Sequence, residues 1–296
     1  MRLTAHPADP FGQAVIVLLA HPNDVGAHAV ARVLAGRSGP APLVLAPERL
    51  SGFHWAHRVG PDGRADTRLA GDGLVLATSD VACLLNRTEH VTVPRFVRAS
   101  ARDRDYATME LQALVASWLA GLGSRVVNPS TAMMADAGPA SPRQWLALAA
   151  RHGLPTSPTA VATSSRALPA EALGAGAVRP LGPWVPVGTP TTGRVPVEVG
   201  PPTAGPGAAS QVGVLVADGR AVGPLATRFG GACVAVAAEA GCRLVAFRFG
   251  VGDGDDEGAL APILREVVSR PALREPWQVA VVADLLADLA GRATAA

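Results

Sequence analysis

The opening of the chain alternates a short, wholly apolar run with an amphipathic one, and few folds accept that order. "QAVIVLLAHPND" is too short to span a membrane and closes in turn residues, so it predicts a strand buried on both faces. Asn23 or Asp24 is placed to cap "VGAHAVARVLAGR", whose apolar positions recur at helical spacing as far as Gly36. "APLVLAP" supplies a second strand, so the chain begins as a βαβ unit. "DGLVLAT", "VACLLNR" and "SRVVNP" predict further strands, and "RDYATMELQALVASWLAGLG" an amphipathic helix stopped by Gly121 or Gly123. The expectation is an α/β unit with a parallel sheet of about four strands.

"VVNPSTAMMADAGPASPRQWLALAARHGLPTSPTAV" carries too many ordered signals for a linker. Ser141 is a good N-cap, and Pro142 suits the first helical turn, where its missing N–H costs nothing. Trp145, Leu146, Leu148 and Ala149 form an apolar stripe that Gly153 stops, and the prolines after it enforce an extended exit. A helix handing off to an extended segment marks entry into a second unit, from residue 138. Beyond it, "GAVRPL" reads as a strand and the Pro- and Gly-dense stretch 182–209 as a long loop or hairpin. "SQVGVLVADGRAVGP" is a hairpin turning at Asp218-Gly219, "CVAVAAEAG" a short helix, "CRLVAFRFG" and "PILREVVS" strands, and "WQVAVVADLLADLAGR" a closing helix.

Composition narrows the function. Hydrophobic residues at 49% and charged residues at 17% belong to a globular chain. A formal net charge of +2 argues against nucleic acid or an anionic membrane as a partner held by charge. All 26 basic residues are arginine, which removes Schiff-base, P-loop and general-base lysines from consideration. The three cysteines, Cys83, Cys233 and Cys242, are too widely spaced for a metal knuckle and read as buried thiols of a cytoplasmic protein.

With these elements in place, their order resembles the ATP-grasp superfamily, in particular the ligases that modify ribosomal peptides and related natural products. The resemblance runs through "LLNRTEH", "MELQALVASWL" and "VVNPSTAMMADAGPASPRQWLALAARHGLPTSPTAVAT", then "AVRPLG", "GVLVADGRAVG" and "ILREVVSRP". It implies a pre-grasp domain over residues 1–137 with a parallel sheet, followed over 138–296 by two small α+β lobes, at about 155–220 and 221–296. It further implies ATP and Mg²⁺, and a small-molecule or peptide carboxylate joined to an amine through an acyl phosphate. Arg179 stands where the family has an ATP-binding lysine, and Arg143 opens the helix that often begins with one. Asp218 falls in the hairpin of the nucleotide-binding lobe. Glu266 matches the metal-binding Glu of an E-x-N strand, with Asp253 or Asp255 as a further metal ligand. Val268 replaces the Asn of that pattern, Ser269 would compensate only through a bulge, and Arg248 replaces a carboxylate of the preceding strand. These departures open an alternative, a catalytically dead binding or assembly protein that forms a homodimer or holds a partner enzyme.

A different chemistry is suggested by "LLAHPNDVGAH", which resembles the A-H-P-D-D motif of zinc-dependent sugar deacetylases. His21 and Asp24 are in place, Asn23 replaces the first Asp, and His54 and His57 offer an H-x-x-H partner. Each of these histidines also has a plain reading as a hydrogen-bonded residue at a turn or strand.

Overall fold

The computed structural model describes residues 14–61, 63, 65–88, 91–128, 141–156, 160–162, 177–180, 197–200, 211–251 and 262–295. The apolar run becomes β1 (Val15–Leu19), all of it buried. β1 sits inside a parallel sheet in the order β2 (Ala41–Leu45), β1, β6 (Val81–Asn86), β7 (Val126–Val127). Successive side chains point to opposite faces, so β1 feeds two cores. Ile16 and Leu18 meet α1 (Val25–Ala35) and α5 (Pro276–Ala295), while Val15, Val17 and Leu19 face α2 (Ala101–Leu122).

"DGLVLAT" does not join that sheet. It is β5 (Leu74–Ala77), antiparallel to β4 (Ala65–Gly71), which pairs in turn with β3 (His54–Val59). Asp72 and Gly73 between them both take positive φ, 51° and 73°. Such a two-residue turn forces an antiparallel hairpin and removes the strand from a parallel role. Trp55 of β3 meets Trp118 of α2 edge-on at 5.9 Å, which anchors this sheet to the second core.

In the second half Ser141 caps α3 (Pro142–Arg151) as expected, its hydroxyl accepting from the Gln144 N–H. A small antiparallel sheet follows in the order β8 (Ala160–Ala162), β10 (Val197–Gly200), β9 (Ala177–Pro180). The last sheet runs β12 (Arg220–Val222), β11 (Gln211–Ala217), β13 (Leu244–Val251), β14 (Pro262–Val268), all antiparallel. Its helix α4 (Ala226–Glu239) starts earlier than "CVAVAAEAG" suggests. Two glycines mask the start, and one has a packing reason: a Cβ on Gly230 would lie 2.9 Å from the Ala221 Cβ of β12.

α5 joins the halves. Its residues Val282, Ala283, Leu285, Leu286 and Ala290 are completely buried, packed with Cys83 and Leu85 of β6 and also with Leu215, Ala217, Leu244 and Ala246 of the last sheet. Among the described residues no helix is long and apolar enough to cross a membrane.

Two polar ties close the same seam. Arg87 donates from Nε to Asp24 at 2.6 Å and from Nη1 to the Pro271 carbonyl at 2.8 Å. Asn128, at φ 55° just after β7, donates from Nδ2 to the carbonyls of Leu244 (2.6 Å) and Ser269 (2.8 Å). Its Oδ1 accepts from the N–H groups of Arg243 and Leu244, both at 2.8 Å. A primary amide has two donor hydrogens and two acceptor lone pairs, and all are used.

Asn128→Ala would strand four backbone groups, two of them in part-buried contacts, and would put alanine, which tolerates the left-handed region less well than asparagine, at φ 55°. We expect a loss of about 3 kcal/mol or more, read as a lowered urea midpoint; an unchanged midpoint contradicts the tie.

A pH-dependent result follows from Asp24. Burial alone would push its carboxyl up, but the hydrogen bond and charge of Arg87, with the Ala27 and Gly26 N–H groups, outweigh burial and hold it below the ordinary carboxylate value. A group depressed in the folded state contributes stability above its unfolded pKa and loses it as pH falls through the folded value. Asp24→Asn should therefore cost about 1–3 kcal/mol near neutrality. That deficit should shrink in acid, below the carboxylate range, and a deficit independent of pH would contradict the assignment.

Candidate functional site

β13 and β14 owe their geometry to alternation. Val245, Phe247 and Phe249 point into the core beneath α3 and α4, and Phe249 stacks on Phe229 at 4.9 Å. Leu244 and Ala246 point the other way, toward α5, and Arg248 continues that opposite row. Arg248 is in register with Glu266 across the antiparallel pair, so the two side chains share a face. Arg248 Nη1 donates to Glu266 Oε2 at 3.0 Å.

The pairing shifts between Arg248 and Phe249, because Glu266 opposes Arg248 while Leu264 opposes Phe249. Arg265 is the extra residue of this β-bulge. A Cβ added to Gly250, which shares a face with Arg248, would lie 3.1 Å from Arg265 Cγ and Nε. The bulge thus turns Arg265 onto the face of Arg248 and Glu266. On this face the Arg248–Glu266 ion pair is the contact that the described residues define. Arg248 Nε is buried with no hydrogen-bond acceptor among the described residues. An unmade bond of that kind costs about 1–3 kcal/mol, more when the group is charged.

The other sequence candidates disperse. Pairing runs regularly from Glu266 to Val268, so Val268 shares the Glu266 face and no bulge falls where it would bring Ser269 round. Asp253 and Asp255 lie outside the described residues. Arg179 takes the register position opposite Glu198 between β9 and β10. Arg143 is the second residue of α3, partly buried, and α3 packs on the other face of the last sheet from Arg248.

Asp218 sits in the β11–β12 turn and accepts from Arg292 Nη2 at 2.6 Å, with Arg243 Nε at 3.6 Å. These two arginines and Arg125 line a cleft of about 440 Å³ beside Ser124 and Leu289. Two of the three are spent on carbonyls: Arg243 donates to that of Ser124 at 2.7 Å, and Arg125 to those of Thr78 and Val81, both at 2.8 Å.

The residues of the zinc reading have separate partners. Asp24 holds Arg87 and the N-terminus of α1, and His21 Nε2 meets Glu48 at 3.1 Å. His57 lies between the hydroxyls of Thr67 (2.8 Å) and Ser117 (2.9 Å). Among the described residues no three of His, Cys, Asp and Glu gather to hold a metal ion. Cys83 and Cys233 are buried in the cores, which pushes both thiols up to about 12. They pack rather than react.

The Mg²⁺ implied by the resemblance does not fit the residues on the β13–β14 face. A hard dication needs several oxygen ligands, whereas Glu266 is held by a guanidinium and Val268 offers no donor. Sequence reading missed Arg265, which only the bulge brings into place, and nothing in "ILREVV" announces that bulge.

No protein-family model matches the sequence, and no curated protein does. Solved structures do match. The macrocyclase MdnB from Microcystis aeruginosa MRC superposes with TM-score 0.66 at 15% identity, covering 92% of this chain and 99% of that one. MdnC from the same organism, bound with precursor peptide MdnA, gives 0.66 at 11% identity over 93% and 100%. The ATP-grasp ligase PsnB, complexed with a minimal precursor, Mg and ADP, gives 0.60 at 15% identity over 94% and 98%. The order of sheets, the closing helix and these superpositions agree that the chain has the fold of the ATP-grasp ligases.

Proposed function

We propose that this chain is a divergent ATP-grasp-type protein of peptide natural-product biosynthesis, binding a nucleotide and a peptide carboxylate. The observation that carries this reading is the extent of the match, over nine-tenths of the chain, to solved ligases that include complexes with precursor peptides and with ADP. A surviving ligase reaction would have the peptide carboxylate oxygen attack the terminal phosphorus of ATP. ADP leaves, and an amine then displaces phosphate to form the amide. The charge moved in both steps rests on phosphate oxygens, so cationic side chains are what the protein must provide. Arg248 and Arg265 are cations of the last sheet, and Arg179 is the counterpart in the small middle sheet.

A second reading is favoured by one specific observation, the ion pair between Arg248 and Glu266. It occupies the two strand positions from which the resemblance expects metal-binding carboxylates. On that reading the chain is a ligase-derived binding or assembly component, either self-associating or holding an active partner.

Calorimetric titration of the purified protein with ATP in Mg²⁺ buffer tests the first reading. Binding in the micromolar range is expected, and absence of binding removes the nucleotide from the proposal. Appearance of ADP over time separates a working ligase from a binding component.

A further inference from the structure

The cleft of about 440 Å³ at the seam between the halves gathers three guanidiniums from three elements. Arg125 closes the turn before β7, Arg243 stands one residue before β13, and Arg292 lies in the last turn of α5. Among the described residues Asp218 is the one carboxylate that meets them, with Arg292 Nη2 at 2.6 Å and Arg243 Nε at 3.6 Å. Arg125 meets only the carbonyls of Thr78, Val81 and Leu122, which accept hydrogen bonds and cancel no charge. Burial disfavours its charged form, so a nearby anion would stabilise it. Asp288 acts on Arg292 from outside the lining, but it is bridged to Arg220 at 3.6 Å, and adding that pair leaves the positive excess unchanged. Nη2 of Arg125 and Nη2 of Arg243 have no acceptor among the described residues. The volume lies within the range of small-ligand sites, about 300–1,000 Å³.

We propose that this cleft is an anion site for a diphosphate group, separate from the β13–β14 face. Arg243 precedes Arg248 by five residues, about 17 Å at the rise of a strand. A carboxylate presents one planar oxygen pair, which a single guanidinium fork satisfies. Phosphoryl groups present oxygens in several directions, which suits cations arriving from three elements. The diphosphate is either free or the end of a nucleoside diphosphate, and both show the arginines the same oxygens. Since the three residues come from both halves, the bound anion would tie α5 and the start of β13 to the parallel sheet. The inference goes beyond the proposed function and uses none of the residues offered there for phosphate transfer.

The test titrates the full chain with inorganic pyrophosphate, ADP and citrate, each in excess EDTA. Arg243→Gln, Arg292→Gln and Arg58→Gln accompany the wild type, the last an exposed arginine of β3 that controls for loss of charge alone. Circular dichroism checks that each folds. The expected result is pyrophosphate binding that weakens about tenfold in Arg243→Gln and Arg292→Gln and is unchanged in Arg58→Gln. ADP following the same pattern identifies a nucleoside diphosphate as the source, and pyrophosphate alone following it identifies the free anion; both support the site. Binding of neither, an equal loss in Arg58→Gln, or citrate bound as tightly as pyrophosphate overturns the inference. Each of these failures leaves the ATP titration in Mg²⁺ to decide the proposed function separately. Arg292 is exposed at the end of α5, so its variant decides the outcome if Arg243→Gln does not fold.

Discussion

The side chain of Asn128 is the joint on which the architecture depends. It leaves the last strand of the parallel sheet and behaves like a further piece of backbone, meeting both the N–H and the carbonyl of Leu244 where β13 begins. Through the Ser269 carbonyl it also fixes the exit of β14. Two sheets of different kinds are thereby held at one relative position. α5 can then fill the space between them with small and branched side chains, because both of its walls are fixed. Arg87, spanning Asp24 and the Pro271 carbonyl, repeats the arrangement at the other end of the seam.

Much of this was legible in the residues, and the misses have physical causes. The buried strand β1, a cap at Asn23 or Asp24, the Ser141-Pro142 helix start and the Asp218-Gly219 hairpin are set by local rules, and the structure follows them, with Asp24 as the cap. The assignment of "DGLVLAT" to a parallel role overlooked Asp72-Gly73, a local signal that was present and outranked by hydrophobicity. The role of Asn128 is of another sort. Its partners lie 115 to 141 residues away, and no local pattern encodes a contact at that separation.

The same division applies to the site. The replacements at Arg248 and Val268 were visible as departures from a pattern, because residue identity alone reveals them. What they make together was not visible. Cross-strand register decides that Arg248 faces Glu266, and the bulge decides that Arg265 joins them. Register and bulges come from the whole sheet packing on α3 and α4, not from the seven residues of β14. The departures therefore leave a guanidinium–carboxylate ion pair at the two strand positions where the resemblance implies metal-binding carboxylates.

Glu266 distinguishes the two chemistries by sign. As a metal ligand it would assist a nucleotide, and its removal would weaken binding. As the partner of Arg248 it is already held by a guanidinium, and its removal would leave nucleotide affinity no weaker. The most direct measurement is the affinity of Glu266→Ala for AMPPNP beside the wild type, in the same Mg²⁺ buffer. The account predicts affinity no weaker in the variant, and weaker binding by the variant would contradict it.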